Sequence, residues 1–287
     1  MKILVLLILL LNFVDSYSQV ISEPSSSRVY DLLNRLAIKG IIRFDDEMKP
    51  LSRVELLNKL LEVNLAKVSQ LEGEEIKYYK KEFALELMLL EENSENFSQF
   101  FKFTEKKGFR FFLFKDNEFV FNVDPILGLK VQNRFYELQT HRWNGLQFYG
   151  YVDKNWAFNF YFRDNEEQGS KIDKSKWFSV ERGINISQST SKSFQYVDVR
   201  GQISYSWENG NITLAKEYLE WGSGISGKLI LSEKAPSFPF IKLELTPISW
   251  LKFVYFHGWL HSALIDSSSV RKTLVNKRDS FSQIEKF

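Results

Sequence analysis

The sequence predicts a mostly β fold, a transmembrane antiparallel β-barrel preceded by a small helical bundle. Three observations predict it. An N-terminal export signal takes the chain out of the cytoplasm. The hydrophobic period falls from about 3.6 residues to 2 near residue 105. The strands that follow carry rings on one face and charged or amide side chains on the other.

Lys2 supplies the positive start of the signal, Ile3 to Val14 is an uncharged apolar run with Asn12 its one polar member, and Ser16-Tyr17-Ser18 offers small residues to a signal peptidase. A bilayer-spanning helix needs about 20 apolar residues. Cleavage is therefore expected after Ser18, leaving Gln19 first and no cysteine for lipid attachment. Three regions follow: 1–18 signal peptide, 19–105 helical region, 106–287 β-barrel portion.

Composition narrows the class. Hydrophobic residues make up 44% with no second long apolar run, which excludes a helical inner-membrane protein. Cysteine is absent, so neither a disulfide framework nor a thiolate metal site carries the fold. Basic and acidic residues number 38 and 36 and are interspersed, which argues against nucleic acid as a partner. Aromatic residues reach 16%, with 26 Phe, 12 Tyr and 7 Trp.

In the helical region Val29, Leu32, Leu33 and Leu36 recur at helical spacing, and Gly40 stands where a left-handed C-terminal cap belongs. A second helix opens at Ser52 with Glu55 in capping-box position and Val54, Leu57, Leu60 and Leu61 on one face. A third is expected over about 74–90, aligning Ile76, Tyr79, Phe83, Leu87 and Leu90. Three short helices are a marginal core, so they are expected to dock on something larger.

Beyond Gly108 the strands alternate. Trp156, Phe158, Phe160 and Phe162 oppose Ala157, Asn159, Tyr161 and Arg163, after which Asp164-Asn165-Glu166-Glu167 is expected to turn. Leu129 and Val131 oppose Lys130, Gln132 and Arg134; Ile203, Tyr205 and Trp207 oppose Gln202, Ser204 and Ser206; Ile241, Leu243 and Leu245 oppose Lys242 and Glu244. Glu208-Asn209-Gly210-Asn211 reads as an Asn-Gly hairpin. A soluble β-sandwich hides aliphatic faces and exposes charge, whereas a membrane barrel turns apolar and aromatic residues to lipid and keeps polar ones inside. Ring-rich faces opposite Lys and Arg fit the barrel.

Glu220 to Phe240 is a glycine-punctuated, apolar loop between strands, with Gly222, Gly224, Gly227, Pro236 and Pro239 as its structural residues. The run Lys216-Glu217-Tyr218-Leu219-Glu220-Trp221-Gly222-Ser223-Gly224, then Gly227-Lys228-Leu229-Ile230-Leu231-Ser232 with Ala235-Pro236 and Pro239, then Thr246-Pro247 and Tyr255-Phe256-His257-Gly258-Trp259-Leu260, resembles the Wzi family of capsule assembly proteins. Val29-Tyr30-Asp31-Leu32-Leu33-Asn34-Arg35-Leu36 and Pro50-Leu51-Ser52-Arg53 resemble that family's opening. The resemblance implies an outer-membrane β-barrel with a periplasmic helical bundle that binds capsular or exopolysaccharide and holds it at the cell surface, with outer-membrane lipid as its other partner and no cofactor. Ser223 stands where Pro is common and Lys216 where Arg is common. Family members are longer, and about nine or ten strand segments are recognisable here, so the chain is expected to be the N-terminal part of a longer member with its barrel incomplete.

Candidate polysaccharide-binding residues are Trp221, Lys228, Lys234, His257, Trp259 and His261. Trp221 either offers a flat face to a sugar ring or wedges the loop against the barrel wall. His257, Trp259 and His261 share one face of a strand expected over 250–261; no third metal ligand accompanies the histidines. Two rival functions are defined by other residues. A glycosidase would use Glu217 with Glu220, or Asp153 with Asp164; a diffusion channel would line its pore with Lys130, Gln132, Arg134 and Arg163.

Overall fold

The structure is a computed structural model describing residues 20–90, 96–104, 108–134, 136–170, 172, 186–190, 192–222, 224, 228, 230–232, 236–248 and 250–260. The signal segment, Ser223, Gly227, Lys234 and His261 lie outside the described residues.

Helix α1 (Val29–Ile38) buries Val29, Tyr30, Leu32, Leu33 and Leu36. Its end is a Schellman motif: Gly40 sits at φ +71°, its N–H donates to the Ala37 carbonyl at 2.9 Å, and the Ile41 N–H donates to Leu36 at 3.0 Å. Strand β1 (Met48–Lys49) follows, then α2 (Arg53–Leu61), whose first turn is capped by Ser52 accepting the Glu55 N–H at 3.0 Å. Glu55 does not complete the box; its carboxylate lies 4.0 Å from Lys252. The complete capping box is at Ser69 and Glu72, opening α3 (Gln70–Glu82). Lys39, followed by the Ser69 amide and hydroxyl, holds the Glu72 carboxyl down at about 2. The long third helix expected from the apolar stripe breaks at Phe83, whose φ −93° and ψ 29° end α3 before α4 (Ala84–Leu90) begins. The Phe83 ring is fully buried, so packing of that side chain outweighs continuity of the helix.

The strands are β2 (Phe97–Thr104), β3 (Gly108–Lys115), β4 (Phe119–Arg134), β5 (Glu137–Val152), β6 (Trp156–Gln168), β7 (Ile186–Ser189), β8 (Ser193–Trp207), β9 (Gly210–Glu217), β10 (Glu220–Trp221), β11 (Phe238–Ile248) and β12 (Leu251–Gly258). Nine form one antiparallel sheet in the order β12-β11-β9-β8-β6-β5-β4-β3-β2, with β7 added beside β8. The sheet begins at Phe97, ahead of the compositional break at 105. Strand β6 runs on through Gln168, and 164–167 does not turn, because each of those residues is paired on both sides with β5 and β8. The hairpin after β8 closes on the pair Trp207 and Gly210, so Glu208-Asn209 form its tip.

Register makes the two faces of the sheet continuous. One row runs Phe119, Val152, Trp156, Tyr205, Ile212, Leu243, Tyr255, and the next on the same face runs Phe121, Gly150, Phe158, Ile203, Leu214, Ile241, His257. This face is bare: Leu127, Leu129, Leu214, Phe253 and Tyr255 are 76%, 68%, 52%, 52% and 53% exposed. From Trp156 to Phe162 its apolar positions run about 20 Å at roughly 3.4 Å per residue.

The opposite rows read Val120, Tyr151, Ala157, Ser204, Thr213, Lys242, Phe256 and Asn122, Tyr149, Asn159, Gln202, Ala215, Phe240, Gly258. This polar face carries the helices. Ile21, Ala84, Leu85 and Met88 pack on Leu113, Val120, Tyr149, Tyr151 and Ala157, and the Val20 carbonyl accepts a hydrogen bond from Gln202 at 2.7 Å. The short connections at 116–118, 153–155, 208–209 and 249–250 share one end of the sheet, and the longer ones at 169–192 and 218–237 share the other.

A buried ionic knot joins helices to sheet. Arg53 Nε donates to Glu86 at 2.7 Å, its Nη1 to Glu23 at 2.6 Å and its Nη2 to the Glu82 carbonyl at 2.8 Å, while Tyr151 donates to Glu86 at 2.7 Å. The guanidinium lies 4.6 Å from the Phe83 ring centroid and 4.9 Å from that of Tyr149. Burial alone would depress the Arg53 pKa, and Glu86, Tyr149 and Glu23 more than offset it, keeping it charged. Burial likewise pushes Glu23 above the usual carboxylate range, against the pull of Arg53.

Glu86→Ala leaves that cation without its main partner and is expected to cost about 3–5 kcal/mol. The helical region should then become protease-sensitive while the sheet stays intact, and Arg53→Met with Glu86→Leu should recover much of the loss. An unchanged digestion profile for Glu86→Ala would contradict the docking role.

Candidate functional site

The polar face is the natural place for chemistry, because it presents charged and amide side chains from neighbouring strands to the enclosed space beneath the helices. Period-two alternation places them there: Gln147, Asn159, Tyr161, Arg200 and Glu217 stand on β5, β6, β8 and β9 on the side of the helices. With Ser22, Glu23, Arg53 and Glu82 they line a cavity of about 190 Å³ between helices and sheet. Arg200 organises its sheet side. Its guanidinium lies 3.9 Å from the Tyr161 ring centroid, 3.3 Å from Glu217 and 3.3 Å from Asp198. A second space of about 490 Å³ opens at the short-turn end, between α2 and the turns, lined by Glu55, Asn58, Lys59, Glu208, Asn209, Glu244 and Lys252 among others.

The glycine-punctuated loop turns back onto this same face. Trp221 is the middle of a small three-segment ladder: it pairs with Met48 of β1 on one side and bridges Leu231 on the other, with N–H to O distances of 2.8 and 3.1 Å to Leu231. The Gly222 N–H donates to Glu47 at 2.7 Å. Gly222 and Gly224 have φ of +113° and +137°, conformations that side chains resist. Tyr218, Leu219 and Glu220 are buried, and the half-buried Trp221 ring meets Phe256 of β12 edge-on at 5.9 Å. That contact packs the loop onto the polar face of β12. Lys228 Nζ lies 3.6 Å from Glu220.

The other described candidates are elsewhere. His257 pairs with Ile241 and so stands on the bare face, where its ring packs edge-on against Trp259 at 5.1 Å. Trp221 and Lys228 therefore do not converge with His257 and Trp259, since the sheet lies between the two pairs. Pro236 is half-buried; Pro239 is exposed in β11, and its carbonyl accepts the Trp259 N–H at 2.9 Å. Glu217 is engaged by Arg200 and by the Tyr218 N–H at 2.8 Å, while Glu220 faces Lys228. Asp153 sits in the turn before β6 and Asp164 far along that strand on the bare face, beside Val197 and Asn144. Among the described residues no three His, Asp or Glu side chains gather as metal ligands.

Sequence reasoning put Tyr161 and Arg163 on a polar face and named Glu217 only as half of a carboxylate pair; it did not single out Arg200 and Asp198, which join them. The available signal was the unbroken run of polar residues at alternate positions of β8. No family model, curated protein or solved structure matches the chain.

Trp221→Ala is expected to loosen the 218–237 loop by about 2 kcal/mol, roughly half the cost of truncating a fully buried Trp. Limited proteolysis should cut there first, and Trp221→Phe should retain resistance. Wild-type protease resistance with lost polysaccharide attachment would return Trp221 to a binding role.

Proposed function

We infer that this chain forms part of an outer-membrane β-barrel wall whose helices sit inside it, and that it binds capsular or extracellular polysaccharide and holds it at the cell surface. The observation that carries the membrane part is the two-sidedness of the sheet. Rings and aliphatic chains cover the bare face in register from β4 to β12 as far as Leu146, Phe162 and Val199, beyond which Asn144, Arg142, Asp164 and Glu166 follow, while charges and amides recur along the other face. That polarity suits lipid outside and water inside, the reverse of a soluble sheet with a dry core. Both long connections, 169–192 and 218–237, leave the same end of the sheet, which suits an outer side, with the helices at the periplasmic mouth. In this reading β2 and β12 find strand partners in the assembled wall, since an unpaired edge in hydrocarbon costs several kcal/mol per backbone group.

The resemblance of Lys216 to His261 to the Wzi family supports polysaccharide as the ligand. The tethered helices favour anchoring over free diffusion: Arg53, Glu86 and the Val20 carbonyl are bonded into the very face that would line a pore.

Deleting the gene should release polysaccharide into the medium without reducing its synthesis, as measured by assaying cell-bound and shed fractions. The purified protein should give no large ohmic steps in a planar bilayer. An unchanged surface layer in the deletion strain would remove the anchoring assignment, and steady large conductance would favour a diffusion channel.

A further inference from the structure

The cavity of about 190 Å³ between the helices and the polar face holds polar side chains that the fold itself does not use. Register places them. Asp124, Gln147, Tyr161 and Arg200 form one cross-strand row that ends on Glu217, 3.3 Å from Arg200. Asn122, Tyr149, Asn159 and Gln202 form the adjacent row on the side of the short turns.

Most polar members of these rows are committed. Gln202 donates to the Val20 carbonyl at 2.7 Å and accepts the Ser22 N–H at 3.2 Å, and Asn122 donates to Asp124 at 2.7 Å. Arg200 Nη1 donates to Glu217 at 3.3 Å, and its Nε lies 3.3 Å from Asp198. On the opposite wall Arg53 is bound by Glu23, Glu86 and the Glu82 carbonyl.

Gln147, Asn159 and Tyr161 differ. Among the described residues none exchanges a hydrogen bond with the Gln147 amide, the Asn159 amide or the Tyr161 hydroxyl. The Tyr161 ring itself is held, with the Arg200 guanidinium 3.9 Å from its centroid. All three side chains line the cavity and are half-buried, so their polar atoms meet its open space rather than being sealed in protein. Gln147 pairs directly with Tyr161, about 4.8 Å away across the ladder, and Asn159 shares the face of Tyr161 about 6.8 Å along β6. Three groups that each donate and accept thus border one small space from two strands.

Charge and size restrict the occupant. Both guanidiniums are already engaged, and Glu23, Glu82 and Glu217 also line the cavity, so an anionic ligand would meet carboxylates beside cations that are already paired. One water needs about 10–15 Å³ of such space, so the cavity admits a small polar molecule and not a folded peptide. An uncharged sugar residue meets both limits, because its hydroxyls donate and accept as the three side chains do and it brings no charge to desolvate. We propose that Gln147, Asn159 and Tyr161 form a binding site for one uncharged sugar residue of the polysaccharide, held by hydrogen bonds to the two amides and the phenol. This site rests on the polysaccharide-anchoring reading and gives it a location at the junction of helices and sheet.

The test uses the full chain in detergent. Its probes are oligosaccharides cut by mild acid from the producing strain's extracellular polysaccharide and separated by anion exchange into neutral and acidic fractions. Wild type should bind the neutral fraction. Gln147→Leu, Asn159→Leu and Tyr161→Phe should each weaken that binding about three- to ten-fold, and the triple variant roughly thirty-fold or more. Melting temperatures should not fall, because none of the removed groups makes a hydrogen bond in the unliganded protein and Tyr161→Phe keeps its ring against Arg200. Binding losses matched by lowered melting temperatures in all three would assign these side chains a structural role and overturn the site. Wild-type binding by the triple variant would overturn it as well, and would leave anchoring standing where deletion of the gene sheds polysaccharide. Binding of the acidic fraction alone would overturn the uncharged-sugar assignment. No binding of either fraction by wild type would remove the site alone if deletion sheds polysaccharide, and both site and anchoring if it does not.

Discussion

Everything in this molecule follows from a period-two alternation held in register across the sheet from β4 to β12. A single strand with Phe on one side and Asn or Arg on the other is a local pattern with several uses. Seven neighbouring strands whose paired residues fall on the same side make two surfaces of opposite character. A one-residue slip anywhere would send Lys242 and Arg200 to the apolar side and Ile241 and Val199 to the polar side. The side that stays bare is the greasy one, and the side that is covered is polar. That inversion separates this sheet from a layer of a sandwich, where the covered side is the apolar one.

The helical region is fitted to the polar surface accordingly. Its own core of Val29, Leu33, Leu36, Leu56, Leu57 and Leu60 closes on itself, whereas its contacts with the sheet mix a few apolar side chains with charges. Arg53, Glu86 and Tyr151 form the centre of that contact, and Ser22, Val20, Gln202 and Ser204 extend it along β8. Strand β1 adds backbone pairing with the Trp221 segment, so the glycine-punctuated loop is held by the helical region. Polar docking of this kind suits an element folded against a wall rather than inserted into a dry core.

Much of this was legible in the sequence for local reasons. Ring spacing in Trp156 to Phe162 gave the faces of β6, Gly40 gave the end of α1, and Ser52 gave the start of α2, because each depends on neighbours within a few residues. The errors share a cause in long-range contact. Asp164 to Glu167 reads as a turn by composition, yet β5 and β8 flank it and continue the ladder. The helix break at Phe83 has no glycine or proline to announce it; the ring's burial decides it. The pairing of Met48 with Trp221 joins residues far apart in the chain, and no periodicity reports such a contact. The same limit scattered the candidate site: His257 and Trp221 both fall in the run from Lys216 to His261, and strand polarity places them on opposite sides of the sheet.

The central claim is that the bare face meets hydrocarbon and the other face meets water. The chain has no cysteine, so single-cysteine variants carry a label at one position only. Fluorophores at Phe162→Cys, Ile203→Cys and Leu214→Cys should be quenched by spin-labelled lipid in native membranes. Fluorophores at Tyr161→Cys and Thr213→Cys, one residue away on the other face, should not. Equal quenching on both faces, or recovery of the protein as a periplasmic species untouched by lipid quencher, would contradict the account.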